Sequence, residues 1–263
     1  MTTIDRTTID DIAQRLFRAG RDAAPIAPPT DELPDLDVAA AYRIQQVNFD
    51  RAVGSGARLV GRKIGLTSAP MQTLLGVDEP DYGYVLDTMV VPDGGSIARA
   101  TLCAPRVEPE IAFRLGRPLR GPGIDKHDVL DATDAVAAAL EIVDSRIVKW
   151  RITLPDTVAD NASSAAVVIG AWTPLEQVPA LDAVEAELSL GGAVIDQGLG
   201  SAVLGHPAEA VAWLINALAE HDTGVDAGEF VMSGSMTSAA FVNAGDTAHA
   251  HLTGLGRVSV SFT

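Results

Sequence analysis

From Thr8 the apolar residues Ile9, Ile12, Ala13, Leu16 and Phe17 recur at the spacing of one helix face. Thr8 and Asp11 stand like a capping box and Gly20 like a stop, so an amphipathic helix is predicted here. The four prolines between Ala24 and Pro34 predict an extended connector, and Asp37 to Val53 predicts a second helix ending at Gly54. Beyond Arg58 the pattern changes to short β-type runs separated by Gly, Pro and Asp. Strands are predicted over Arg58–Ile64, Tyr84–Val91, Arg106–Leu115, Ala165–Gly170, Ala186–Val194, Phe230–Ser233, Thr247–Thr253 and Val258–Phe262. Two helices interrupt them: the Ala- and Val-rich Asp128–Leu140, and Pro207–His221 with Val211, Leu214, Ile215 and Leu218 on one face. The pattern therefore predicts an α+β protein, with an N-terminal helical segment over 1–55 and a mixed, mostly β domain with helical insertions over 56–263. No βαβ alternation and no GxGxxG points to a dinucleotide fold.

Composition narrows the partners. With 19 Lys plus Arg against 35 Asp plus Glu the formal charge is −16, which disfavours nucleic acid and anionic membrane surfaces. The share of apolar residues, 47%, fits a folded protein with a sizeable aliphatic core. A single cysteine, Cys103, forms no intrachain disulfide, and the N-terminus carries acids where an export signal needs cations, so a cytoplasmic protein is expected.

Candidate chemistry centres on Pro105-Arg106-Val107-Glu108-Pro109-Glu110-Ile111. On a strand, Glu108 and Glu110 project from one face, where two carboxylates repel unless a cation, a shared proton or water relieves them. A solvated edge strand carrying Pro109 is the plainer alternative. Glu141 lies inside the apolar run Ala137 to Val143, where burial needs a partner. It either completes an all-oxygen site for Mg2+ or Mn2+ or pairs with Arg146 or Arg151. Lys63 ends a predicted strand beside Gly65, which permits close approach to the backbone, and Asp81 stands in a Pro/Gly turn where a local backbone bond is the ordinary role. His249 and His251 fit a half-exposed strand, and His206 fits a helix start before Pro207.

The strings KIGLTSAPMQTLLGVDEPDYG, PRVEPEIAF, LEIVDSRI and DTVADNASS, with LGHPAEAVAWL and TGLGRVSVSF further on, resemble the 2-oxopent-4-enoate (2-hydroxypenta-2,4-dienoate) hydratase family from about Arg58 to the C-terminus. That family groups with 4-oxalocrotonate decarboxylases in the fumarylacetoacetase-like superfamily. The resemblance implies metal binding by Glu108, Glu110 and Glu141, and proton transfer by Lys63 and Asp81. It implies a substrate pocket touching Thr67, Ser68, Asn161, Ser163, Ser164, Ser235 and Thr237. By the same resemblance the activity is hydration of a 2-hydroxy-2,4-dienoate to a 4-hydroxy-2-oxo acid in meta-cleavage breakdown of aromatic compounds. A homo-oligomer, pentamer or decamer, and association with other enzymes of the pathway are also implied.

Three alternatives stay open. Val91 to Gly95 and Glu141 to Ser145 resemble the decarboxylases, and EPDYG with RPLRGPG resembles hydratases of 2-oxohept-4-ene-1,7-dioate. A non-catalytic partner subunit would have lost a metal carboxylate or Lys63, and neither is lost. A short monocarboxylic substrate is expected unless an arginine among Arg62, Arg106, Arg146 and Arg151 lines the cavity without a carboxylate of its own, because a second substrate carboxylate needs a cation.

Overall fold

The computed structural model describes residues 4–68, 72–73 and 76–263, so Ala69, Pro70, Met71, Leu74 and Leu75 of the first motif lie outside the described residues. Helix α1 spans Arg6–Asp22 and starts earlier than the spacing predicts, because the Asp5 carboxylate caps it by accepting from the Thr8 N–H at 2.8 Å. The short α2, Pro29–Glu32, follows, and α3, Val38–Gly54, is capped by Asp37 through the Ala40 N–H. Ile9, Ile12 and Leu16 of α1 and Ile44 of α3 close over Ile147, Leu154 and Val158 from the body.

The strands are, in chain order, β1 Leu59–Gly65, β2 Asp81–Leu86, β3 Val90–Val91, β4 Gly95–Ile97, β5 Arg106–Leu115, β6 Leu119–Arg120, β7 Thr133–Val143 and β8 Ser164–Ile169. Then follow β9 Thr173–Pro174, β10 Glu185–Leu190, β11 Ala193–Leu199, β12 Gly224–Val225, β13 Phe230–Ser235, β14 Ala240–Phe241, β15 Thr247–Leu252 and β16 Gly256–Phe262. Three more helices are interleaved: α4 Lys126–Ala132, α5 Leu154–Ala159 and α6 Pro207–Ala219. A nine-stranded sheet runs β2-β1-β13-β5-β7-β8-β3, with β14 on β5 and β9 on β7; a five-stranded sheet runs β11-β10-β15-β16-β4.

Alternation decides what each face of the large sheet does. Val107, Ile111 and Phe113 of β5 and Ala138, Leu140 and Ile142 of β7 join the main core, together with Leu188, Ala250 and Val260 of the second sheet and Val211, Leu214 and Ile215 of α6. The residues between them, Ala112 and Ala139, join Val85, Val167 and Met232 on the opposite face. Glu108, Glu110 and Glu141 share the parity of that second face.

The helix predicted over Asp128–Leu140 is not formed. Helix α4 stops at Ala132, and Thr133–Val143 is the longest strand of the molecule's described residues. Alanine favours a helix by only a few tenths of a kcal/mol per residue, whereas this segment lies between β5 and β8 with ten of its eleven residues buried. Burial on both faces outweighs propensity. The run predicted as one strand from Ala186 to Val194 is instead a hairpin, because Gly191 and Gly192 have φ of 57° and 87° and reverse the chain between β10 and β11. The strand predicted from Tyr84 to Val91 is likewise broken by a helical turn at Asp87–Met89.

Gly200–Ala219 is long and apolar enough to cross a membrane by length and composition, yet half of it is buried in the protein, where α6 packs its apolar side into the main core. His206 caps this helix, its Nδ1 accepting from the Ala208 N–H at 3.0 Å, as a helix start requires. His249 and His251 are exposed on β15.

Candidate active site

The antiparallel register of β5 and β7 sets Glu108 directly opposite Glu141, with Glu110 two residues along the same face. Carboxylate oxygens of all three lie within 4.8 Å of one another. The solvated-edge alternative is thereby excluded: β5 is an interior strand between β13 and β7, Glu110 and Glu141 are fully buried, and Glu108 is half-buried. Pro109 is tolerated because β13 bulges beside it. The Pro109 carbonyl accepts from the Met236 N–H on that side, so the missing proline N–H falls where the ladder is already irregular.

Glu110 Oε2 accepts from the Gly234 N–H at 2.8 Å, while Glu110 Oε1 and both oxygens of Glu141 are buried without a hydrogen-bond partner. Gly234 has φ +108°, and a side chain there would collide with Thr67. Burial, reinforced by the Glu141 charge and opposed by Lys63 and Arg106, pushes Glu108 up to about 7. Burial and then the charges of Glu141 and Glu108 hold Glu110 well above the usual carboxylate range. Three carboxylates that resist being ionised together, with oxygens lacking donors, form a donor set suited to a divalent cation.

Lys63 on β1, which β13 separates from β5, reaches this group across the sheet face. Its Nζ lies 3.5 Å from Glu141 Oε2 and donates to the Ala162 carbonyl at 2.8 Å. Burial alone would lower its pKa, but Glu141, then Asp81, Glu108 and Glu110 outweigh that and raise it, which favours the ammonium form. Arg146 and Arg151 are not the partners of Glu141; they pair with Asp160 and Asp31. Asp81 opens β2 opposite Gly65 and is buried, not engaged in a local turn. Its Oδ1 has no partner, the Thr157 hydroxyl reaches Oδ2 at 3.4 Å, and burial raises its pKa against the opposing pull of Lys63. A Cβ at Gly65 would collide with Asp81 Oδ1 and sit 3.1 Å from Lys63 Nζ, which explains the glycine.

Lys63, Asp81 and Glu108 line a cavity of about 530 Å³ whose wall includes Thr67, Ser68, Ser163, Ser235 and Thr237, while Glu110 and Glu141 lie behind that wall. Asn161 and Ser164 lie outside that wall. The Asn161 amide instead brackets Tyr84, accepting from its N–H at 2.9 Å and donating to its carbonyl at 3.1 Å. Asn161, Ala162 and Ser163 all have left-handed φ of 55°, 48° and 57°, a conformation that costs of order 1 kcal/mol or more per non-glycine residue and that turns the Ala162 carbonyl onto Lys63. Sequence inspection missed this carbonyl, since every residue carries one; an Asn heading the turn was the available signal. It also left Trp150 and Asp196 without a place, and both line the cavity, as does Arg106, one of the four arginines considered for a second substrate carboxylate.

A buried carboxylate trio beside an ion-paired lysine, with Glu108, Lys63 and Asp81 in the wall of one cavity, suits an enzyme that acts on small molecules. Residues 51–263 match the family described as fumarylacetoacetate (FAA) hydrolase C-terminal. The chain belongs to that family. It is 44% identical to 2-hydroxyhexa-2,4-dienoate hydratase of Comamonas testosteroni, covering 98% of this chain and 99% of that one. It is 42% identical to 2-keto-4-pentenoate hydratase of Paraburkholderia xenovorans, with 96% and 94% covered. Its fold superposes on 4-oxalocrotonate decarboxylase from Pseudomonas putida G7, solved with magnesium and adipate, at a TM-score of 0.96 and 36% identity over 99% of both chains.

Proposed function

We propose that the protein is a divalent-metal-dependent hydratase that adds water to a 2-hydroxy-2,4-dienoate of the 2-oxopent-4-enoate type, giving a 4-hydroxy-2-oxo acid, in the breakdown of aromatic compounds. The observation that carries this is the Glu108–Glu141 pair across β5 and β7 with Glu110 beside it, its oxygens lacking donors, next to Lys63. Glu108, Glu110 and Glu141 hold Mg2+ or Mn2+. When bound, the cation supplies positive charge that orients a 2-oxo acid and steadies negative charge developing on its 2-oxygen.

The chain's own groups manage the protons. The dienol gives up its 2-hydroxyl proton and takes one at C5, which leaves a 3-ene conjugated to a 2-oxo group. Water oxygen then bonds to C4 and a proton enters at C3. Lys63, fixed by the Ala162 carbonyl and Glu141, and Asp81, with a partnerless Oδ1, are the groups that hold and pass these protons. Hydroxyls of Thr67, Ser68, Ser163, Ser235 and Thr237 in the wall orient water and substrate.

Two hydratases at 44% and 42% identity favour hydration over the decarboxylation named for the relative at 36%. The deciding experiment supplies purified protein and Mg2+ with 2-hydroxypenta-2,4-dienoate and, separately, 4-oxalocrotonate, and identifies the products. Hydration with the higher kcat/KM is expected; release of CO2 with the higher kcat/KM would reverse the assignment. Assembly into a cytoplasmic homo-oligomer belongs to the same proposal, supported by Val194, Ile195 and Leu199 standing exposed on the edge strand β11.

A further inference from the structure

Arg106 is the cation in the cavity wall that proton transfer and metal binding leave unused. It shares the outward parity of Glu108 and Glu110, so one face of β5 reads Glu110, fully buried, then Glu108 and Arg106, both half-buried, from the interior toward the surface. Its guanidinium lies over two rings, 4.4 Å from the Trp150 centroid and 4.2 Å from that of Phe241. Phe241 is 57% exposed, which places this end of the face near the exterior.

Among the described residues Arg106 makes no ion pair, and its Nε is buried without a hydrogen-bond partner. Arg146 and Arg151 are engaged by Asp160 and Asp31, and Arg62 lies outside the cavity wall. Aromatic rings against a guanidinium attract it through their π faces and take up none of its N–H donors, which match a carboxylate bidentately. Alternate residues of a strand are about 6.6 Å apart, comparable to the span of a six-carbon chain between its terminal carboxylates.

We propose that Arg106 is a receptor for a second carboxylate, at the far end of a dienoate whose 2-oxo-acid end lies at Glu108, Glu110 and Glu141. The range of substrates then includes dienoates carrying a carboxylate at each end. This rests on the hydratase assignment for the 2-oxo-acid end, and it departs from the short monocarboxylic substrate expected before an unpaired arginine was seen in the wall.

The test is calorimetric titration of the Mg2+-loaded protein with 2-oxohexanoate and with 2-oxoadipate, which share the 2-oxo-acid end and differ in the far carboxylate. Wild type should bind 2-oxoadipate at least about tenfold more tightly, as expected for hydrogen bonds between charged groups. Arg106→Met, which keeps an unbranched side chain against the rings, should reduce that preference below about threefold while 2-oxohexanoate affinity stays within about threefold. Arg106→Lys should retain part of the preference, with melting temperatures confirming that both variants fold. Equal affinities in wild type, or equal weakening of both ligands by Arg106→Met, would overturn the inference alone. Failure of 2-oxohexanoate to bind at all would overturn the 2-oxo-acid assignment and this inference with it.

Discussion

Two clusters of buried charge lie within the same body and end differently. Around Arg146, each carboxylate is fully engaged. Asp160 accepts from the Arg146 N–H and Nε, Asp144 accepts from the Cys103 and Ala104 N–H groups, and Arg146 Nη1 donates to the carbonyls of Asp144 and Ser164. Asp156 nearby takes four hydrogen bonds from Thr30 and Thr153. Around Lys63, by contrast, Glu110 Oε1, both Glu141 oxygens and Asp81 Oδ1 accept no hydrogen bond, and Glu141 has only the looser ion pair to Lys63 at 3.5 Å. A buried polar group without a partner costs about 1–3 kcal/mol, more when charged, so the first cluster is self-sufficient architecture and the second has the unmet oxygens that suit the cation proposed for it. The two meet in one turn. Asp160 belongs to the satisfied cluster, and two residues later the Ala162 carbonyl holds Lys63.

The largest expected contrast comes from Lys63→Ala. Turnover should fall by roughly 10²–10⁴, as when a proton-transfer group is removed, with the melting temperature of the metal-loaded protein little changed. Near-normal turnover would remove Lys63 from the reaction. The opposite signature is expected of Arg146→Met, which leaves Asp160 buried without its cation. Urea unfolding should show a loss of about 3–5 kcal/mol. A change below about 1 kcal/mol would mean that the satisfied cluster is not what anchors the turn.

A smaller effect follows from Glu108, whose pKa rises from 4.5 to about 7 in the folded, metal-free protein. The folded state holds this proton more tightly than the unfolded chain does. Its contribution is therefore complete below about pH 4.5 and is lost as pH rises through about 7, amounting to at most roughly 3–4 kcal/mol. Mg2+ requires the ionised form, so the gain in melting temperature on adding Mg2+ should grow between about pH 6 and pH 8. A gain that shrinks over that interval would contradict the assignment of Glu108 to the metal.

The α+β class, the helical N-terminus and most strands were legible because their periodicities are strong and their boundaries carry Gly, Pro or Asp. The Ala-rich stretch before Glu141 was not, since its strand state is imposed by neighbours on both sides and not by local preference. That error bears on the site. Only as a strand does β7 set Glu141 opposite Glu108, so a pairing suspected from residue type acquires its geometry from tertiary context. Lys63 and Asp81 were visible as unusual positions, but their meeting depends on a close approach over Gly65 that spacing alone does not disclose. Asn161 was expected in the pocket and serves the backbone of Tyr84 instead, because a side-chain amide in a left-handed turn can point to either side of it.

The central claim is that Glu108, Glu110 and Glu141 form one divalent-cation site. It is tested most directly by titrating metal-free protein with Mn2+ and counting bound ions by electron paramagnetic resonance, in wild type and in Glu141→Gln, which keeps the shape of the side chain and removes its charge. The account predicts one Mn2+ per chain, weakened at least about tenfold in the variant while the fold is retained, in line with loss of a ligand charge. Undiminished Mn2+ binding by a folded Glu141→Gln protein would contradict it.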